Sequence, residues 1–214
     1  MSAIGDATGL VAIGYGASNN IEVGQFSTLA GMEALKTPLD GLLILKPKVF
    51  RDDRGWFLES YNRNAFAAAG ISETFVQDNH SSSVKGTLRG LHFQTHPGQA
   101  KLIRCTRGRI WDVAVDIRPS SATFGRHFGA ELDDASGQQI FIPVGFAHGF
   151  LVLSDSAEVQ YKCSNVYNAA TESGLQWDDP DLAVAWPLAG QIPTISDRDK
   201  KNPSFAAFKK QLLA

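Results

Sequence analysis

From Gly41 onward the chain is a succession of short apolar runs separated by turn residues. Residues 42–50 read as a strand, Asp52-Asp53-Arg54-Gly55 as a turn, and residues 56–61 as the strand that follows. Further β-prone runs occupy residues 74–77, 88–94, 102–105, 110–117, 127–132, 139–142, 150–153 and 158–163, with Gly, Pro, Ser and Asp between them. In one of these, Trp111, Val113, Val115 and Ile117 alternate with Asp112, Ala114 and Asp116, the mark of a strand buried on one face. Many short strands with turn signals between them predict an all-β sandwich or barrel. Two short helices complete the pattern. One covers residues 64–69 and stops at Gly70; the other covers residues 203–212, with Asn202 as its cap and Phe205, Phe208 and Leu212 on its inward face.

Residues 1–37 have a different texture. They are rich in Gly, Ala and Ser and show no period, which predicts an irregular N-terminal extension before a single domain over residues 38–214. A chain of 214 residues is long enough for one sizeable core.

Composition narrows the function classes. A net charge of −2 gives no basic excess for nucleic acid or an anionic membrane, so an anionic ligand has to be met by a local group of Arg and Lys. No segment reaches the roughly 20 apolar residues of a membrane span, and the N-terminus lacks the basic start and unbroken apolar stretch of a secretory signal. The two cysteines, Cys105 and Cys163, are far apart and form no CxxC pair; they are expected as buried free thiols, which suits a reducing cytoplasm.

Two segments carry candidate chemistry. Gly137-Gln-Gln-Ile-Phe-Ile-Pro143-Val-Gly145-Phe-Ala-His148 resembles the second motif of the cupins, G-x5-P-x-G-x2-H. Gly86-Thr-Leu-Arg-Gly-Leu-His92-Phe-Gln94 resembles the start of their first motif, with Gln94 where a second histidine is expected, and Gly98 and Gln99 stand near the family's Glu position. This resemblance implies a cupin-type double-stranded β-helix, or jelly-roll, barrel with a few short peripheral helices. Two imidazoles and a neutral amide make a weak metal site, since a catalytic divalent ion takes about three His, Cys or carboxylate ligands. Imidazole titrates near neutrality, so histidines released from a metal can serve in general acid–base work. Taken singly, each has a plainer reading as a structural histidine.

Several further segments occur together and in one order. They are Phe50 to Tyr61, Phe75-Val-Gln77-Asp78-Asn79-His80-Ser, Leu88-Arg89-Gly-Leu-His92-Phe-Gln, Ile142 to Phe150, Glu158-Val-Gln-Tyr161-Lys and Glu172-Ser-Gly. With them, residues 42–199 resemble the dTDP-4-dehydrorhamnose 3,5-epimerase family, which is a cupin-type family of sugar-nucleotide epimerases. The resemblance implies epimerisation at C3 and C5 of dTDP-4-dehydro-6-deoxy-D-glucose in a dTDP-rhamnose route, without metal or cofactor, in a cytoplasmic homodimer. It makes His92 the base, Asp199 the carboxylate that orients it, Tyr161 the acid on the opposite face and Lys101 the cation at the keto oxygen. It makes Arg54, Glu59, Gln77, Asp78, Asn79, Arg89, His148, Glu172 and Arg198 the residues that hold the nucleotide sugar.

These residue types suit the chemistry, because moving a proton beside a ketone needs a base, an acid and positive charge at the oxygen. A single-carbon epimerase of another deoxysugar route, a metal-dependent cupin and a non-catalytic sugar-nucleotide-binding cupin are the competing readings. One geometric obstacle stands out. Strict alternation puts Arg89 and His92 on opposite faces of their strand, and only a bulge at Gly90 brings both into the barrel.

Overall fold

The computed structural model describes residues 27–29 and 32–212. Its strands are β1 (Ser27–Leu29), β2 (Met32–Lys36), β3 (Leu43–Pro47), β4 (Val49–Asp52), β5 (Gly55–Leu58), β6 (Gln77–Val84), β7 (Leu88–Gln94), β8 (Lys101–Arg107), β9 (Arg109–Asp116), β10 (His127–Asp133), β11 (Gln139–Ile142), β12 (Phe146–Val152), β13 (Ser156–Cys163) and β14 (Glu172–Gly174). Two α-helices, α1 (Arg63–Ala68) and α2 (Phe205–Leu212), and a 3₁₀ turn at Asp199–Lys201 complete the described residues. The fold is the all-β jelly roll expected from the sequence. A seven-stranded sheet in the order β1-β2-β3-β11-β8-β13-β6 faces a five-stranded sheet in the order β10-β9-β12-β7-β14, and β4 and β5 form a separate hairpin. No helix among the described residues is long and apolar enough to cross a membrane.

The core has three layers. Between the sheets, Ile44, Ile103 and Ile140 of the larger sheet meet Phe128, Phe146 and Phe150 of the smaller one. The outer face of the smaller sheet, with Leu88, Trp111, Val113 and Val115, is covered by Phe205 and Phe208 of α2. The outer face of the larger sheet, with Leu45, Leu102 and Phe141, is covered by Ala65 and Phe66 of α1. The central strands of both sheets are therefore covered on both faces, each buried core side chain contributing on the order of 1.5–3 kcal/mol.

That covering corrects the reading of β9. Its alternation is real, but its polar side is not solvent. Asp112 and Asp116 are fully buried, Asp112 inside the barrel.

Other boundaries shift for local reasons. The stretch read as one strand over 42–50 is two, β3 and β4, and the run expected at 74–77 begins only at Gln77 and continues to Val84. Of the extension expected to be irregular, Ser27–Leu29 and Met32–Lys36 are strands, because Met32, Ala34 and Leu35 are buried against the larger sheet and β2 pairs with β3 along its whole length. Residues 1–26, 30 and 31 lie outside the described residues. Asn202 does not cap α2: its amide donates to Leu175 O at 3.4 Å, and Ser204 Oγ accepts from Ala207 N instead. Leu212 is exposed, so the inward face of α2 is Phe205 and Phe208. Both cysteines are buried and free.

Candidate active site

One end of the space between the sheets opens as a cavity of about 470 Å³. Arg89 and His92 of β7 and His148 and Phe150 of β12 line it from the smaller sheet; Ser81 of β6, Lys101 of β8 and Tyr161 of β13 line it from the larger one. A C-terminal strap closes the side, contributing Thr194, Ile195, Ser196, Arg198 and Asp199.

The bulge in β7 is what lets Arg89 and His92 share this cavity. His92 pairs with His148 and Arg89 with Phe150, so three steps on β7 oppose two on β12. The extra residue lies at Gly90-Leu91. Gly90 has φ +136°, and a Cβ there would come within 2.5 Å of Gly149 Cα, so only glycine fits.

The strap is pinned beside β7 by Leu88 N donating to Thr194 O and Thr194 N donating to Gly86 O, both at 2.9 Å. It then turns so that Asp199 Oδ1 lies 2.6 Å from His92 Nε2. Burial pushes the Asp199 carboxyl up, but the hydrogen bond and charge of His92, the Gly90 N–H and Ser196 outweigh it and hold the group below the usual carboxylate range. Asp199 is thus an anion behind the imidazole, and among the described residues His92 Nδ1 is left without a hydrogen-bond partner.

On the facing sheet, Lys101 is a buried cation whose ammonium lies 6.0 Å from the centre of the Tyr161 ring. Burial pushes Lys101 down, with Cys163, Asp112 and Glu172 pulling the other way. Burial also pushes the Tyr161 phenol up, assisted by Cys163 and opposed by Arg89 and Asn79, so it stays protonated. A base with its carboxylate on one wall, and a phenol and an ammonium on the other, can take a proton from one side of a bound molecule and return one from the other.

The remaining expected residues divide into two groups. Gln77 and Asn79 point inward along β6: Gln77 Nε2 donates to Asn79 Oδ1 at 3.1 Å, and Asn79 Nδ2 lies 3.5 Å from Cys163 Sγ. Arg89 Nε donates to Ser83 Oγ at 3.0 Å, which leaves its other nitrogens for an anion. Glu172 joins Tyr167 Oη at 2.5 Å and Arg198 at 2.7 Å at the cavity mouth. By contrast, Asp78 lies on the other face of β6 and pairs with Lys162 at 3.0 Å, because alternation turns it away from Gln77 and Asn79. Arg54 sits at the exposed tip of the β4–β5 hairpin, paired with Asp52, and Glu59 is exposed beyond it; neither lines the cavity.

Gln94 and Gln99, at the positions where cupins carry metal ligands, hold a loop instead. Gln94 Nε2 donates to Asn168 O and Thr171 Oγ1, each at 2.8 Å, and Gln99 Nε2 donates to Asn165 O at 2.7 Å. Among the described residues no group of three His, Cys, Asp or Glu is arranged to hold a metal. Asp112 and Ser81 reach the site without having been singled out from the sequence. Asp112 Oδ2 lies 2.8 Å from His148 Nε2, and the signal for it was an aspartate on the apolar β9 pattern.

The family model for dTDP-4-dehydrorhamnose 3,5-epimerase matches residues 36–207. The dTDP-4-dehydrorhamnose 3,5-epimerase of Methanothermobacter thermautotrophicus is 50% identical over 160 residues, which is 75% of this chain and 86% of the relative. A crystal structure of the dTDP-6-deoxy-D-glucose-3,5-epimerase from Legionella pneumophila, in complex with dTDP-4-keto-L-rhamnose, matches with a TM-score of 0.81 and 42% identity, over 85% of this chain and 96% of that one. A 3'-monoepimerase from Streptomyces bikiniensis, in complex with dTDP-quinovose, matches with a TM-score of 0.77 and 34% identity, over 82% of this chain and 89% of that one.

Proposed function

Since the chain belongs to the dTDP-4-dehydrorhamnose 3,5-epimerase family, we propose that it is an isomerase that inverts C3 and C5 of dTDP-4-dehydro-6-deoxy-D-glucose to give dTDP-4-dehydro-L-rhamnose. The observation that carries this reading is the 2.6 Å His92–Asp199 pair facing Tyr161 and Lys101 across one cavity.

In this reading His92 Nδ1 takes the proton from the carbon beside the ketone. The C–H electron pair forms a C=C bond to C4 while the carbonyl π pair moves onto the C4 oxygen, giving an enolate whose negative charge Lys101 stabilises. Tyr161 then delivers its proton to the opposite face of the carbon. Asp199 keeps the imidazole in the tautomer that leaves Nδ1 bare and stabilises the imidazolium once formed. Arg89 and Arg198 bind the diphosphate, and that remote binding positions the sugar for the proton transfers. In this reading side chains of the two walls carry every proton transfer.

Proton NMR of the substrate with the protein in D2O tests it. Deuterium entering both C3 and C5 supports the double epimerase. Entry at one carbon moves the assignment to a single-carbon epimerase, the reading favoured by the likeness to the 3'-monoepimerase. No entry at either carbon, with the protein folded, defeats the base–acid assignment.

The same reading gives a homodimer in the cytoplasm. The β4–β5 hairpin exposes Phe50, Trp56 and Phe57 beside Arg54 and Glu59, all away from this chain's own cavity. A second copy covering those rings brings Arg54 and Glu59 to a substrate. Mixing an Arg54→Ala chain with a His92→Ala chain then restores activity that neither has alone; no restoration argues against a shared site.

A further inference from the structure

Residues 164–171 carry the chain from β13 in the larger sheet to β14 in the smaller one. The ends of this loop join backbone neighbours: Ser164 N donates to Ala100 O at 3.0 Å, and Thr95 N donates to Thr171 O at 2.8 Å. Between them Val166, Tyr167, Asn168, Ala169 and Ala170 are all exposed, so no buried apolar side chain anchors the middle.

Three half-buried glutamines hold it instead. Gln77, at the start of β6, accepts from Tyr167 N at 2.7 Å. Gln94, at the end of β7, donates to Asn168 O at 2.8 Å and accepts from Asn168 N at 3.1 Å. Its Nε2 also donates to Thr171 Oγ1 at 2.8 Å. Gln99, just before β8, donates to Asn165 O at 2.7 Å, and Asn165 Nδ2 donates to Gly98 O at 2.8 Å. The Gln94 amide meets both backbone groups of Asn168, as a paired strand would. An ionised carboxylate of the same shape could not, because it only accepts.

The loop reaches the site through one chain of contacts. Tyr167 Oη donates to Glu172 at 2.5 Å, and Glu172 lies 2.7 Å from Arg198, the strap residue beside Asp199. Arg198 lines the cavity, whereas Gln94, Gln99 and residues 164–171 do not. The glutamines are therefore linked to an anion-binding side chain while standing apart from His92, Tyr161 and Lys101.

We propose that Gln94 and Gln99 are positioning residues for the nucleotide end of the ligand: they hold the 165–170 loop, and through Tyr167 and Glu172 they hold Arg198 where it receives the diphosphate. This deepens the epimerase reading and rests on it for the identity of the ligand. An exposed loop without buried contacts opens at little cost, and apparent affinity falls by the fraction of molecules in which the binding arrangement is lost. Removing either glutamine thus weakens binding and leaves the proton transfers alone.

The test uses the full-length protein with Gln94→Ala, Gln94→Glu and Gln99→Ala. Backbone amide exchange followed by NMR reads the loop, calorimetry with dTDP reads the nucleotide end, and kinetics separate KM from kcat. In Gln94→Ala the Asn168 and Tyr167 amides exchange faster, and the Kd for dTDP and the KM both rise about 10-fold, as when the held arrangement falls to about one molecule in ten. The kcat stays within about twofold and the Tm is nearly unchanged, a split that a general loss of structure would not give. Gln94→Glu behaves like Gln94→Ala, because it keeps the acceptor and loses the donors.

Faster amide exchange with an unchanged Kd for dTDP overturns the link from loop to ligand. Unchanged exchange at Asn168 overturns the role of Gln94 in holding the loop, and a fall in kcat at constant KM overturns the assignment to binding. A Gln94→Glu protein that matches wild type refutes the need for an amide. Where Gln94→Ala fails to fold, Gln99→Ala decides by the same measurements at the other anchor. Absence of dTDP binding in the wild type defeats the epimerase reading and the ligand named here, while amide exchange still decides whether the glutamines hold the loop.

Discussion

Gly90→Ala is the change that most directly probes how the site is assembled. Gly90 has φ +136°, a region that costs an L-residue about 1–3 kcal/mol. Its new Cβ would lie 2.5 Å from Gly149 Cα and 2.9 Å from His148 O, both backbone atoms of β12. Neither can swing aside as a side chain would, so the strands must part by about 1 Å, at an overpacking cost of roughly 1–3 kcal/mol. The sum is about 2–6 kcal/mol, or a fall in Tm of roughly 4–24 °C for a domain of this size. The functional effect is larger than the stability effect suggests, because the displaced strands carry His92 and His148 and the Gly90 N–H supports Asp199. A misplacement of about 1 Å at reacting groups costs on the order of 100-fold in rate. Thermal melts and kcat/KM for the epimerisation measure the two effects. Gly86→Ala is the control: it also has a positive φ, +76°, but nothing lies within 4 Å of its Cβ, so it loses stability and keeps its rate per folded molecule. Full activity and an unchanged Tm in Gly90→Ala would refute the bulge as the device that brings Arg89 and His92 together.

Four other outcomes are expected. Asp199→Asn lowers kcat by about 10²–10⁴-fold at neutral pH with little change in Tm, since the amide no longer fixes the tautomer of His92; unchanged kcat removes Asp199 from the mechanism. Tyr161→Phe still allows deuterium to enter at the carbon facing His92, but inversion falls by at least about 100-fold, seen by comparing exchange with product formation; equal losses in both would make Tyr161 a binding residue only. Dialysis against EDTA leaves the exchange rate unchanged, whereas a loss restored by a divalent cation would reinstate a metal. Asp116→Asn tests the structural network at the end of β9. Burial pushes Asp116 up, but Arg118, Ser121 and Thr123 outweigh it and bring it from 3.8 to about 2, worth roughly 2.5 kcal/mol. Because its folded value is depressed, that stability is present above pH 3.8 and is lost as pH falls through about 2. Denaturant melts therefore show Asp116→Asn destabilised at pH 7, with the gap closing in acid; a gap independent of pH would contradict the sign.

Legibility in the sequence followed the range of the interactions involved. Strands such as β10, β11 and β13 were readable because side-chain alternation and flanking turns are local. The strands β1 and β2 were not, because Met32, Ala34 and Leu35 become strand residues through pairing with β3 and burial against the larger sheet, and a Gly-rich prelude hides that. The alternation in β9 is legible in the sequence, but it reads as a strand buried on one face only. Period two cannot distinguish water from a polar barrel interior, and that is why Asp112 was passed over. Asn202 looked like a cap because its residue type favours one; Pro203 and Ser204 follow it, and the cap moved to Ser204.

The pairing of His92 with Asp199 sits at the far end of that scale. The two residues are 107 positions apart, and nothing in the periodicity of either segment relates them. Three features of the folded chain bring them together. The bulge at Gly90 turns His92 inward while keeping Arg89 beside it. The bridge between Thr87 and Thr194 fixes the strap along the same strand. The 3₁₀ turn at Asp199–Lys201 then aims the carboxylate, with Gly90 N–H as its second donor. Gly90 therefore serves both members of the pair: its conformation orients the base, and its amide steadies the carboxylate behind it. A glycine in an otherwise apolar strand reads from sequence as a weak point. Here it is the residue on which Arg89, His92 and Asp199 all depend, which is why a single added methyl group there is expected to cost more in rate than in stability.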